Sequence, residues 1–195
     1  MNLTFKEFQK EAIVRFLALK KYEVIREKIN NPSHDISKDS DFKRDFNSFF
    51  RVRREKKWQE KFYNYFQTVK NNKNIKFEDI IWYLYRTTGN IEASFSSKML
   101  AAINPDMPIW DQFIVRAFNI EITGVKEKRV ENIIKEYYGL IDKEKQELKK
   151  PSVQKAIKEF NEVFGEYKLS DIKILDYMLW NKRDKEQKES NEKNY

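Results

Sequence analysis

The sequence predicts an all-α fold, a single multi-helix globular domain, on three observations. Apolar residues recur at spacings of three and four along most of the chain, with charged residues between them. Only 4 Gly and 4 Pro occur in 195 residues, too few punctuators for a chain of many strands and turns. Pro105 and Pro108 fall between two helical patterns and divide them into a hairpin. The expected domain covers 1–181, with two helical lobes meeting near 90–120 as an option, and 182–195 reads as a polar, flexible tail.

The elements follow in order. From Thr4, a suitable N-cap, to about Asn30, Phe5, Phe8, Ala12, Phe16, Leu17, Ile25 and Ile29 share a helical stripe. Asn31 to Asp41 reads as a solvated loop. Its Asp35, Asp39 and Asp41 lack the turn glycine and closing glutamate of an EF-hand, and no metal site is expected. Phe42 to Val69 is helical with a change of phase. Phe42, Phe46, Phe49 and Phe50 form one stripe and Trp58, Phe62, Tyr65, Phe66 and Val69 another, so the helix either kinks within 51–57 or runs straight between different neighbours. After Asn71–Asn74, a helix from about Phe77 to Thr88 places Glu78 and Asp79 in its first turn, where the helix dipole favours them, with Gly89 as its C′ residue.

The hairpin spans Ser94 to Phe118. Its first helix carries Phe95, Met99, Ala102 and Ile103 and stops at Asn104, because proline disfavours the α region for the residue before it. Asp111 caps the second, which carries Phe113, Ile114, Ala117 and Phe118. Beyond it, Val125 to about Lys149 reads as one long helix that Gly139 weakens. Pro151 opens the next, ending at Gly165, and Ser170-Asp171 caps a last helix from Ile172 to about Trp180.

Composition narrows the function classes. The absence of Cys excludes disulfides and thiolate zinc sites, and a single His excludes a poly-His centre, so no cofactor is expected. No apolar run reaches the length of a membrane span and no signal-type run follows Met1-Asn2-Leu3, so a cytoplasmic location without membrane contact is expected. A net charge of +8 points to acidic partners, nucleic acid first and DNA before RNA, with the oligomeric state open. Arg51, Arg53, Arg54 and Lys57 form the densest positive cluster. They read either as a solvated helix face or as a phosphate-contacting patch.

Ser96-Ser97-Lys98, followed by Pro108-Ile109-Trp110-Asp111 and Phe113-Ile114-Val115-Arg116-Ala117-Phe118, resembles the helix-hairpin-helix DNA glycosylase superfamily over roughly 91–120. There, G-x-K opens a helix and a P-[VI]-x-D segment opens the next. Ala93 to Ser96 stand where the hairpin glycines would be, and Lys98 and Asp111 lie 13 positions apart, several fewer than is usual in the family.

The resemblance implies a helix-hairpin-helix, glycosylase-like fold and DNA base excision. Lys98 would be the nucleophile at the sugar C1′ and Asp111 the carboxylate that stabilises the developing charge. Ser96 and Ser97 would join Arg51, Arg53, Arg54 and Lys57 in contacting nucleic acid, and Trp82, Tyr85 and Trp110 would wall the base pocket. Plainer readings stay open beside these: Asp111 as a helix cap, Lys98 as its ion-pair partner, and Trp82 and Tyr85 as core aromatics. At the level of the whole protein the alternatives are a nucleic-acid-binding module without chemistry and a helical interaction protein of a phage or plasmid system.

Overall fold

Helix α1, Ala12–Asn30, buries Leu19, Tyr22, Ile25 and Ile29, a spacing that keeps one stripe on the core. The computed structural model describes the backbone of residues 12–180 and the side chains from residue 17 onward. Thr4, Phe5 and Phe8, the side chains of Ala12 and Phe16, and the polar stretch 182–195 lie outside the described residues. The C-terminal carbonyls of α1, which lack helical partners, meet a lysine from elsewhere. Lys70 Nζ donates to the carbonyls of Asn31 (2.5 Å) and Ile29 (3.4 Å). Burial holds the Lys70 amine below its ordinary pKa.

In the loop that follows, Asp39 accepts from Lys28 Nζ (2.7 Å), His34 Nε2 (2.8 Å) and the Phe42 amide (2.9 Å). It thereby caps α2, Ser40–Phe50. Helix α3 is Lys56–Val69. The expected single element over 42–69 is therefore two helices, broken at 51–55. Arg51 takes a left-handed conformation (φ 54°) and its amide, like that of Val52, donates to the Asn47 carbonyl. The reason is the phase change itself. A straight helix cannot bury both aromatic stripes against one core, whereas a reversal lays one on the other. Phe46 then meets Phe66 at 5.4 Å and Phe62 and Tyr63 at 5.9 Å, tilted or edge-on. Each such pair adds about 0.5–1.5 kcal/mol beyond the burial of its area.

Helix α4, Phe77–Thr88, begins with the Lys76 amide donating to the Asp79 carboxylate (3.0 Å) and ends at Gly89 (φ 74°), as expected. Helix α5, Ala93–Ile103, is the central helix: every residue from Ser96 to Ile103 is buried. It packs against α1 and α4. The connection 104–110 leads to α6, Gln112–Ala117, which Asp111 caps by accepting the Ile114 amide (2.9 Å). Helix α7, Lys126–Leu148, runs unbroken through Gly139, where a Cβ would meet open space. Helix α8, Pro151–Phe164, has its proline in the first turn and leads through a 3-10 turn, Gly165–Tyr167, to α9 at 171–180. One hydrophobic cluster runs through the described residues, which contain no strand and no helix long and apolar enough to cross a membrane.

Candidate functional site

The connection 104–110 lacks the glycines that would let a tight turn stand alone, and side chains from distant helices hold it instead. Arg26 Nη1 donates to the Ala102 and Ile103 carbonyls at the end of α5. Ser170 Oγ donates to the Pro105 carbonyl (2.9 Å), and Tyr137 Oη to that of Pro108 (2.9 Å). The Ile109 amide reaches Asp176 Oδ1 at 3.5 Å, and the Trp110 amide donates to Ser97 Oγ (2.9 Å). Asp111 therefore enters α6 from a backbone held at both ends.

Ser94 and Lys98, one turn apart on α5, line a cleft of about 350 Å³ together with Asp111, Phe113 and Arg116 from α6 and its cap. Phe50 and Arg51, at the end of α2, and Trp180, in α9, close the other side. Lys98 is 8% exposed, and its Nζ stands 5.2 Å from the centre of the Phe95 ring. The two residues of the expected lysine–carboxylate pair thus share one open hollow, and Arg51 and Arg116 line it with them.

The other expected contacts distribute differently. Of the basic cluster, Arg51 alone lines the cleft; Arg53 and Lys57 are exposed outside its lining. Arg54 donates from Nη2 to Glu92 Oε2 (2.8 Å), whose other oxygen accepts the Trp58 indole N–H (3.0 Å). Its guanidinium also lies over the Trp58 and Phe95 rings. Turning Arg54 toward a phosphate would strip the charge partner from a carboxylate only 3% exposed, so a phosphate contact by Arg54 competes with this pair. Ser96 and Ser97 are fully buried. Ser96 Oγ donates to the Glu92 carbonyl (2.9 Å), and Ser97 Oγ donates to that of Ser94 (3.0 Å) while accepting from Trp110, so neither faces a ligand.

The expected aromatic walls are replaced. Trp110 is buried in the core beside Tyr137. Trp82 lines a separate groove with Tyr65, Tyr83 and Arg86, and Tyr85 bonds Glu127 through its hydroxyl (3.3 Å). The aromatic surfaces of the cleft belong instead to Phe50, Phe113 and Trp180. Helical periodicity can assign Trp82 to a face but not choose the hollow which that face meets. Arg116 carried one weak signal, five positions beyond Asp111 on the same short helix.

Under the connection lies a second, buried set of charges, whose Lys173 also borders a hollow of about 370 Å³. Lys173 Nζ donates to Asp176 Oδ2 (3.1 Å), and both residues are almost wholly buried. Glu144 is fully buried, and neither of its carboxyl oxygens has a hydrogen-bond partner among the described residues. Burial, then the Asp176 charge, raises the Glu144 carboxyl well above the ordinary range. Burial likewise pushes Asp176 up to about 6, against the opposing pull of Lys173.

Comparison of the chain with protein-family models, with curated proteins and with solved structures returns no match.

Proposed function

We propose that this is a DNA-binding protein of the helix-hairpin-helix glycosylase type, which attacks the sugar of a damaged or base-less nucleotide through Lys98. The observation that carries the reading is the single open cleft shared by Lys98, Asp111 and two arginines. In its base-excision form, the Lys98 amine bonds to C1′ while the bond from C1′ to the base nitrogen breaks. The base leaves with the electron pair and takes up a proton, and opening of the sugar ring gives an iminium. At an abasic aldehyde the amine adds to the carbonyl carbon and water leaves. The reaction needs an uncharged amine. Lys98 is 8% exposed and stands on the cleft with Asp111 and the two arginines. Asp111, one carboxylate oxygen of which is held by the Ile114 amide, stabilises positive charge as it develops on the sugar.

Incubation with duplexes carrying an abasic site or damaged bases, followed by borohydride, is expected to reduce the iminium to a stable protein–DNA adduct. Lys98→Gln abolishes the adduct while leaving the thermal melt within a few degrees of wild type. Absence of an adduct with every lesion tested sinks the enzymatic reading. A nucleic-acid-binding module without chemistry is the second reading, carried by the same basic cleft without a step at Lys98.

A further inference from the structure

We infer that Arg51 and Arg116 together hold one backbone phosphate beside the sugar attacked by Lys98. The inference rests on the functional reading above and assigns the anion contact within the same site.

Three features of the chain lead to it. The serines expected to meet a phosphate turn inward: the Ser96 and Ser97 hydroxyls are both spent inside the fold. Of the neighbouring basic residues, Arg54 is committed to Glu92, and Arg53 and Lys57 stand outside the cleft. Arg51 and Arg116 do line it, and they arrive from independent elements: the left-handed cap that ends α2 and the last turn of α6.

Charge and size then select the ligand. The lining holds Arg51, Lys98 and Arg116 against Asp111, with no other ionisable residue. The cations outnumber the single carboxylate, so the lining complements the charge of a phosphodiester. Guanidinium groups suit that contact, since their planar donor pairs match two phosphate oxygens at once. A hollow of about 350 Å³ admits one nucleotide unit, with Phe50, Phe113 and Trp180 as its apolar faces. A longer stretch of backbone does not fit within it.

The test uses an oligonucleotide duplex with a tetrahydrofuran abasic analogue, which has no aldehyde and cannot react with Lys98. Binding is measured over a range of salt for wild type, Arg51→Ala, Arg116→Ala, the double variant, and Arg53→Ala/Lys57→Ala as control. The double variant is expected to bind about tenfold more weakly and to lose about 0.7–0.9 from the slope of log K against log salt, the signature of one phosphate contact. The control pair leaves the affinity at the analogue within about twofold. Replacing one phosphate flanking the analogue by a neutral methylphosphonate weakens wild type but not the double variant, which identifies the phosphate held. Unchanged affinity and slope in the double variant, with its melt intact, overturn the inference even if Lys98 is trapped on DNA. Arginine-dependent binding without trapping supports the phosphate site and overturns the Schiff-base chemistry alone.

Discussion

Lys98 with Asp111 and Lys173 with Asp176 are two lysine–carboxylate sets near one connection, and they occupy opposite situations. Lys173 is 3% exposed, hydrogen-bonded to an equally buried Asp176 and flanked by buried Glu144. Lys98 is nearly as buried, at 8%, yet it forms the wall of an open cleft beside a half-buried aspartate. Burial therefore does not separate the two lysines, and neither does access, since Lys173 also borders a hollow of about 370 Å³ with Tyr22, Arg26 and Pro105. What separates them is the company of the amine: Asp176 and Glu144 are buried with Lys173, whereas Asp111 stands half-buried on the cleft.

The largest expected effect tests the buried set. Lys173→Met leaves two buried carboxyl groups without their cation and is expected to destabilise the fold by about 3–5 kcal/mol in chemical denaturation. Lys98→Met, whose neighbours face solvent through the cleft, is expected to cost under about 1 kcal/mol. Equal losses would break the distinction. An intermediate effect is expected for Ser97→Ala, which removes the acceptor of the buried Trp110 amide and should cost about 1–3 kcal/mol. Because that bond sets the backbone just ahead of Asp111, this variant should also weaken trapping, which a purely global loss of stability would not do at low temperature.

The smallest effect is one of pH. Asp176, raised to about 6 in the fold against about 3.9 in an unfolded chain, binds its proton more tightly when folded. Its contribution therefore favours the fold most at low pH and declines as pH rises from about 4 to about 6. Asp39 works the other way. Its carboxylate is held well below its ordinary value: burial opposes the shift, but Lys28, the Phe42 amide and His34 outweigh it. Its stabilisation is present above the unfolded value and is lost as pH falls below it. Asp176→Asn should remove the decline between about pH 4 and 6 in thermal melts and leave the acid loss due to Asp39. A profile unchanged by that substitution would mean that the buried set does not titrate.

The ends of the hairpin were legible because they are local: Pro105 stops α5, and Asp111 accepts an amide three residues ahead of it. The same holds for Gly89 and Pro151. The reversal at Arg51 was half legible, as a change of phase whose outcome depended on packing that periodicity does not contain. Less legible still was the company Lys98 keeps. Arg51 and Trp180 reach it from remote parts of the chain, and the serines before it turn inward because α5 is surrounded on every side. Trp82 and Tyr85 pack against the core, as the plainer reading had it, and lie outside the lining of the Lys98 cleft; an aromatic stripe reports that a face is covered without saying by what.

The clamps on the 104–110 connection have a kinetic consequence. They join Pro108 to Tyr137, Pro105 to Ser170, Ile109 to Asp176 and Ala102 to Arg26, with separations of 29, 65, 67 and 76 residues. Contacts of such high order close only after long loops have given up their entropy. Helices α2 and α3, whose aromatic contacts are close in sequence, can form before them. Competence to bind should accordingly be among the last properties regained on refolding, trailing the return of helical signal, and it would report completion of the whole chain.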